Sequence, residues 1–214
     1  AFYRENYKKG IYGETMVNGN EMKRRISKDL LNPLAFSIAT TDMFYRFKKY
    51  DDGKYIYTKD RGWFFEKNLI ENLNCFEGKR ILDYKLPEYH SDIPMMIFSP
   101  SVVNDGIRLL ISPQKITFLC NTDTSLFSGK IALENIEFST LFNKNDPQYL
   151  KISSAMRMNA TFPYILPMVF LPSEPKIEVM DAWLRDNLGL TTSIKYIDNF
   201  KNWIHEHTSG VVII

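Results

Sequence analysis

The chain has 214 residues, 44% of them apolar and 24% charged, with a formal net charge of +2. That length supports one globular core burying about 70% of the surface an unfolded chain would expose, with no need of disulfides or metal. The balanced charge offers no field that demands a polyanion, so nucleic acid is not an expected partner, and no apolar run reaches the roughly 18 residues of a membrane-spanning helix.

In chain order, Ala1-Phe2-Tyr3-Arg4-Glu5-Asn6-Tyr7 opens without an initiator Met, already inside an amphipathic helical pattern that Gly10 closes. Residues 20–40 read as helical, with Met22, Ile26, Leu30 and Leu31 on one face and the triplet Lys23-Arg24-Arg25 on a solvated one. Tyr50-Asp51-Asp52-Gly53-Lys54, flanked by Phe47, Tyr55 and Tyr57, is a turn signal for a hairpin or loop excursion. A helix is expected from Trp63 to Leu73. Met95 to Phe98 and Ile107 to Ile111 read as strands joined around Asn104-Asp105-Gly106, with a further strand at Ile116 to Leu119.

The second half continues with a helix over Leu150 to Met158, a strand at Ile177 to Met180 and a long helix from Leu188 to His207. The β-branched run Val211-Val212-Ile213-Ile214 reads as a buried strand. Strands alternating with helices predict an α/β sheet with at least some parallel pairing. No repeat, low-complexity stretch or linker divides the chain, so one domain over residues 1–214 is expected. A helix in progress at one end and a core strand at the other suggest a piece truncated at both ends.

Candidate chemistry is sparse. Cys75 and Cys120 lie far apart, outside any Cys-x-x-Cys pair, and read as buried thiols of a reducing compartment. His205 and His207 sit two apart on a helix, point in different directions and cannot share a metal; His90 lies in a polar loop. No Gly-x-Ser-x-Gly elbow and no phosphate-cradling glycine loop occurs. A self-contained serine hydrolase of the usual kind is thereby excluded. Aromatic clusters at Phe44-Tyr45, Tyr55 to Tyr57 and Trp63-Phe64-Phe65 read first as core, with a lipid-facing patch as the alternative.

One stretch stands out. Ser153-Ser154-Ala155 opens a small-residue helix that leads through Asn159-Ala160-Thr161-Phe162-Pro163-Tyr164-Ile165-Leu166-Pro167 to a short apolar strand closing on Met180-Asp181. An aspartate at the C-terminal end of an α/β strand lies on the edge where ligands usually bind. The bland alternative is an Asp181 that caps a turn or helix.

These residues resemble the end of the patatin-like phospholipase domain, in which a Ser-Ala-x-x-Pro-x-x-x-Pro segment precedes a strand closing on Asp-Gly-Gly or Asp-Gly-Ala. The wording Met180-Asp181-Ala182-Trp183-Leu184-Arg185-Asp186-Asn187 is similar to a bacterial branch, and Ala1-Phe2-Tyr3-Arg4-Glu5 resembles the helix after the serine elbow. The resemblance implies a three-layer α/β/α sandwich, here partial, without the N-terminal strands and nucleophile elbow. It implies a lipid acyl hydrolase working by a Ser–Asp dyad, with lipid or another ester as substrate and neither metal nor cofactor. Asp181 is then the only catalytic residue present, and the piece alone is expected to be inactive.

Trp183 departs from the family, standing where a very small residue is usual; it implies either a rebuilt loop with the indole lining an acyl pocket or a decayed site. The resemblance implies that Asn187 corresponds to a downstream asparagine that braces the loop, a plain surface asparagine being the other reading, and that Pro163 corresponds to the first proline of the bounded segment. The implied location is cytoplasmic, with peripheral membrane contact through parts beyond this chain. The alternatives are a non-catalytic lipid-binding or protein-interaction domain of the same fold, and a structural α/β domain with Asp181 in a salt bridge away from any cleft.

Overall fold

A computed structural model of the chain describes residues 19–30, 32–40, 49–51, 53, 56–73, 76–120 and 133–213. The helix expected over residues 1–9, the Phe44-Tyr45 pair and Cys75 lie outside them. The helical stretch predicted over residues 20–40 is two helices, α1 (Gly19–Ile26) and α2 (Asn32–Ala39). They are separated by a turn in which the Asn32 N–H donates to Asp29 Oδ1 at 3.0 Å. Arg25 of the basic triplet is not only solvated: it donates to Leu73 O at 3.2 Å, a terminal carbonyl of α3 (Arg61–Leu73) that has no partner within its own helix. Between these helices, β1 (Lys49–Asp51) pairs antiparallel with β2 (Ile56–Thr58), the hairpin that the Asp-Gly turn predicts. The Gly53 N–H donates to Asp51 Oδ1 at 2.8 Å across that turn.

The fold is mixed α/β around an open five-stranded sheet. After α4 (Lys85–Tyr89), the strands are β3 (Ser101–Val102), β4 (Arg108–Leu110), β5 (Asn135–Glu137), β6 (Val169–Phe170) and β7 (Glu178–Met180). They lie in the order β5-β4-β3-β7-β6. β4 and β5 are parallel; β3 is antiparallel to both β4 and β7, and β6 is antiparallel to β7. It follows that β4, β5 and β7 point the same way and present their C-terminal ends on one edge. The α-helices described in the second half are α5 (Phe138–Leu141), α6 (Ile152–Asn159), α7 (Trp183–Asp186) and α8 (Leu190–His207).

Three strand expectations are corrected. Among the described residues, the strand predicted at Met95 to Phe98 makes one isolated bridge, Phe98 to Ile111, and regular pairing begins at Ser101; Pro100 lacks the N–H that would continue the ladder. Ile116 to Leu119 is not a strand but runs into a 3-10 turn, Thr117–Cys120. Its leading donors are drawn out of any ladder by one carboxylate: the Ile116 N–H reaches Glu137 Oε1 at 3.2 Å and the Thr117 hydroxyl reaches Glu137 Oε2 at 2.5 Å. Val211 to Ile213 are exposed and form no strand. β-branched residues do not make a strand without a neighbour to pair with.

Burial follows the sheet. Leu109, Ile111, Val102 and Val179 pack with Leu69 and Leu73 of α3 and with Ile152, Ala155 and Met158 of α6 into the main core. Leu109, Ile152, Ala155 and Val179 are wholly inaccessible. A smaller cluster joins Leu110, Ile116 and Leu119 to Tyr196 of α8. Of the aromatic run in α3, all three members are half-buried: Phe65 packs against the main core, while Trp63 meets Phe64 edge to face and has Lys59 and Lys67 over its ring. Among the described residues no helix is long and apolar enough to cross a membrane.

Candidate functional site

The segment from α6 to α7 is held by main-chain and amide bonds that converge on Asp181. The helix α6 ends at Asn159, whose side-chain Oδ1 accepts the Ser99 N–H at 2.9 Å and whose carbonyl accepts the Ala182 N–H at 3.4 Å. Two residues on, the Thr161 carbonyl accepts the Asp181 N–H at 2.9 Å, while the Thr161 hydroxyl turns back to Arg157 O at 2.7 Å. Thr161 is fully buried. Asp181 directly follows β7, half-buried, at the C-terminal edge of the strand, the edge on which open α/β sheets usually receive ligands. The backbone at Asp181 and Ala182 is thus held by the Asn159–Thr161 stretch of the proline-bounded segment.

The Asp181 carboxylate has one protein partner among the described residues: Oδ1 accepts the Trp183 N–H at 2.6 Å. No lysine or arginine pairs with it among those residues, although three arginines lie in the same or adjoining elements. Arg157 is engaged by Asp60 at 2.9 Å and Glu66 at 3.7 Å. Arg185 donates to Gly106 O at 2.6 Å, tying α7 to the Asn104-Asp105-Gly106 turn. Arg108 pairs with Asp186 at 3.3 Å and Glu134 at 3.6 Å. The basic side chains are therefore committed elsewhere.

Trp183 is accommodated without backbone strain. It opens α7 after an Ala182 in right-handed conformation (φ −63°, ψ −21°), and it is not among the residues of positive φ. A side chain of any size fits such a backbone. The indole is 55% exposed and meets the Phe162 ring edge to face at 6.1 Å. Strain sits instead at Tyr164, with φ +70° after Pro163. The turn Phe162-Pro163-Tyr164-Ile165 closes with the Ile165 N–H on Phe162 O at 3.3 Å, placing proline at the second position and positive φ at the third. Arg61 clamps its tip by donating to Tyr164 O at 2.9 Å.

Asn187 is exposed and makes no hydrogen bond among the described residues. The bracing falls to its neighbour Asp186, buried and surrounded by donors: the Thr191 and Thr192 N–H groups at 2.9 Å each, the Thr192 hydroxyl at 2.6 Å and the Arg108 guanidinium at 3.3 Å. Gly189, at the N-cap position of α8, has no side chain to cap with, so Asp186 satisfies the open N–H groups of the first turn. Burial pushes the Asp186 carboxyl up, but the Thr192 and Thr191 hydrogen bonds and Arg108 outweigh it and hold the group below the usual carboxylate range.

A second polar cluster lies where α3 meets α6. Glu66 Oε2 accepts the hydroxyls of Ser153 and Ser154, each at 3.0 Å, with Arg157 beyond. Burial raises the Glu66 carboxyl against the opposition of Arg157 and the two hydroxyls. Cys120 is half-buried and free; burial and the neighbouring Glu137 push its thiol up to about 11, so it stays protonated and unreactive. His90, His205 and His207 are exposed, and no group of three metal-binding side chains occurs among the described residues.

The motif reading singled out Asp181, Trp183, Asn187 and Pro163, and the fold gathers Asp181, Trp183 and Pro163 around one loop. It missed Asn159 and Thr161, whose backbone and amide groups hold that loop, and Asp186, which anchors α7 to α8. No local signal marks Asn159, because its amide partner, Ser99, lies 60 residues away in the chain. Comparison of the chain with protein-family models, with curated proteins and with solved structures finds no match.

Proposed function

We propose that this chain supplies the acidic half of a Ser–Asp acyl-ester hydrolase of the patatin-like kind, the serine coming from polypeptide outside it. The observation that carries the reading is the state of Asp181: a carboxylate at a strand's C-terminal end, its backbone clamped by the Asn159–Thr161 segment, its Oδ1 oriented by one N–H, and no cation paired to it among the described residues. A general base needs a defined direction and an unoccupied oxygen. In this site Oδ2 takes the serine proton as the hydroxyl attacks the ester carbonyl, and the protonated acid returns it to the leaving alcohol. Phe162 and Trp183 give an exposed apolar surface beside the acid on which an acyl chain can lie.

The same Oδ1 bond also suits a second reading, in which Asp181 is only a turn residue of a non-catalytic domain. Turnover separates the two. Protein that joins this chain to its preceding polypeptide is expected to cleave a short-chain p-nitrophenyl ester, while the chain alone is inactive. If the preceding polypeptide holds no Gly-x-Ser-x-Gly elbow and the joined protein has no esterase activity, the non-catalytic reading stands.

A further inference from the structure

Gly62 sits buried in the first turn of α3, although glycine is the poorest helix former after proline. It is not among the glycines of positive φ, so its backbone does not require the missing side chain. The requirement is one of space. A Cβ built at Gly62 falls 1.8 Å from Cζ of Arg157, 2.0 Å from Nε and 2.1 Å from Nη2. The guanidinium thus lies against bare backbone, where an alanine methyl would stand.

That guanidinium is not at liberty to swing aside. It is 11% exposed, donates to Asp60 Oδ2 at 2.9 Å and faces Glu66 Oε1 at 3.7 Å. Both acids are themselves tied to the two helices it joins. Asp60 Oδ1 takes the Trp63 N–H at 3.0 Å in the first turn of α3, and Glu66 Oε2 takes the Ser153 and Ser154 hydroxyls of α6. So α3 grips α6 at its start through Glu66 and near its end through Arg157. Drawing the guanidinium away leaves carboxylates without their cation in a poorly solvated place, which is costly.

The end of α6 in turn carries the loop that holds the acid. Arg157 O accepts the Thr161 hydroxyl at 2.7 Å and the Ala160 N–H at 3.0 Å, and Thr161 O accepts the Asp181 N–H at 2.9 Å. The same turn of α3 holds this loop a second time, since Arg61 donates to Tyr164 O at 2.9 Å. We infer that Gly62 and Arg157 are positioning residues for Asp181: the guanidinium seated on Gly62 sets the spacing of α3 and α6 and, through Thr161, the place of the carboxylate. The catalytic consequence rests on the Ser–Asp reading; the geometry does not.

Helix propensity gives the test its sign. With nothing in its way Gly62→Ala should stabilise α3, because alanine is the better helix former. In the full chain it should instead lower the melting temperature and displace the amide NMR signals of Thr161, Asp181, Ala182 and Trp183, all far from residue 62 in sequence. Arg157→Ala alone should displace the same signals, which keeps the inference open to refutation if Gly62→Ala does not fold. In the Arg157→Ala background the seat is empty, so adding Gly62→Ala should move none of them further and should not lower the melting temperature again. Signals that stay in place in either single variant, a higher melting temperature in Gly62→Ala, or equal effects of Gly62→Ala with and without Arg157 overturn the proposal.

In protein joining this chain to its preceding polypeptide, Gly62→Ala should lower kcat for p-nitrophenyl butyrate on the order of 10²-fold with KM unchanged, the cost of a displacement of about 1 Å. A kcat within a few-fold of wild type overturns the positioning role. A joined wild type without esterase activity sinks the Ser–Asp reading alone, and the amide signals then decide whether the seat places Asp181.

Discussion

Asp186 and Arg108 show how much a single buried contact decides. Their side chains are 2% and 5% exposed, and Asp186 also closes the first turn of α8. Removing one partner of a buried charge pair strands the other, at a cost of about 3–5 kcal/mol. Asp186→Asn should lower the denaturation free energy by that order, measured by the urea midpoint, whereas Asn187→Ala next to it should change it by less than about 0.5 kcal/mol. A loss in the second variant equal to the first would contradict the assignment of bracing to Asp186. This contact was not legible in the sequence. An arginine and an aspartate 78 residues apart carry no local sign of meeting, whereas Asp181 at the end of an apolar run does.

Glu66 supplies the pH dependence at the same scale. Its folded pKa is raised above the ordinary glutamate value of 4.5, so its contribution to stability is fully present below that value and is lost as pH rises through the folded pKa. Asp186 and Glu137 act in the opposite sense: their folded pKa values are depressed, their contributions are present above the unfolded values of 3.8 and 4.5, and they are lost as pH falls through the folded ones. Acidifying from neutral toward 4.5 should therefore raise the melting temperature, and further acidification should lower it. In Glu66→Gln the first rise should vanish while the acid limb remains. A wild-type melting temperature that falls steadily from neutral pH downward would contradict the role of Glu66.

At the scale of elements, periodicity reads helices well and strands poorly. α3, α6 and α8 lie within a few residues of their expected positions because an amphipathic stripe over several turns is a long signal. The strands are two or three residues each, too short for alternation to register, and partners outside the element decide them: Pro100 cuts one ladder short and the Glu137 carboxylate folds Ile116 to Cys120 into a turn. Packing then outweighs composition. Leu109 in β4 is wholly buried, and Leu109→Ala should cost about 2–5 kcal/mol, while Leu188→Ala between α7 and α8, at 87% exposed, should stay within about 0.5 kcal/mol. Thermal or chemical denaturation of the two variants checks the contrast, and equal losses would contradict the placement of the core.

At the scale of the molecule, alternating strands and helices announce an α/β class but not the direction of each strand. Among the described residues only the β4–β5 pair is parallel, yet β7 shares their direction through the antiparallel β3. That relation puts the C-terminal end carrying Asp181 on one edge with the C-terminal ends of β4 and β5, which no local pattern discloses.

The central claim is that Asp181 takes a proton from a serine. It is tested most directly by kcat for p-nitrophenyl butyrate hydrolysis in protein joining this chain to its preceding polypeptide, comparing wild type with Asp181→Asn. The account predicts a fall of about 10³–10⁴-fold with KM and melting temperature nearly unchanged, because an asparagine keeps the Oδ1 bond to Trp183 but cannot accept the proton. A kcat within a few-fold of wild type would contradict it.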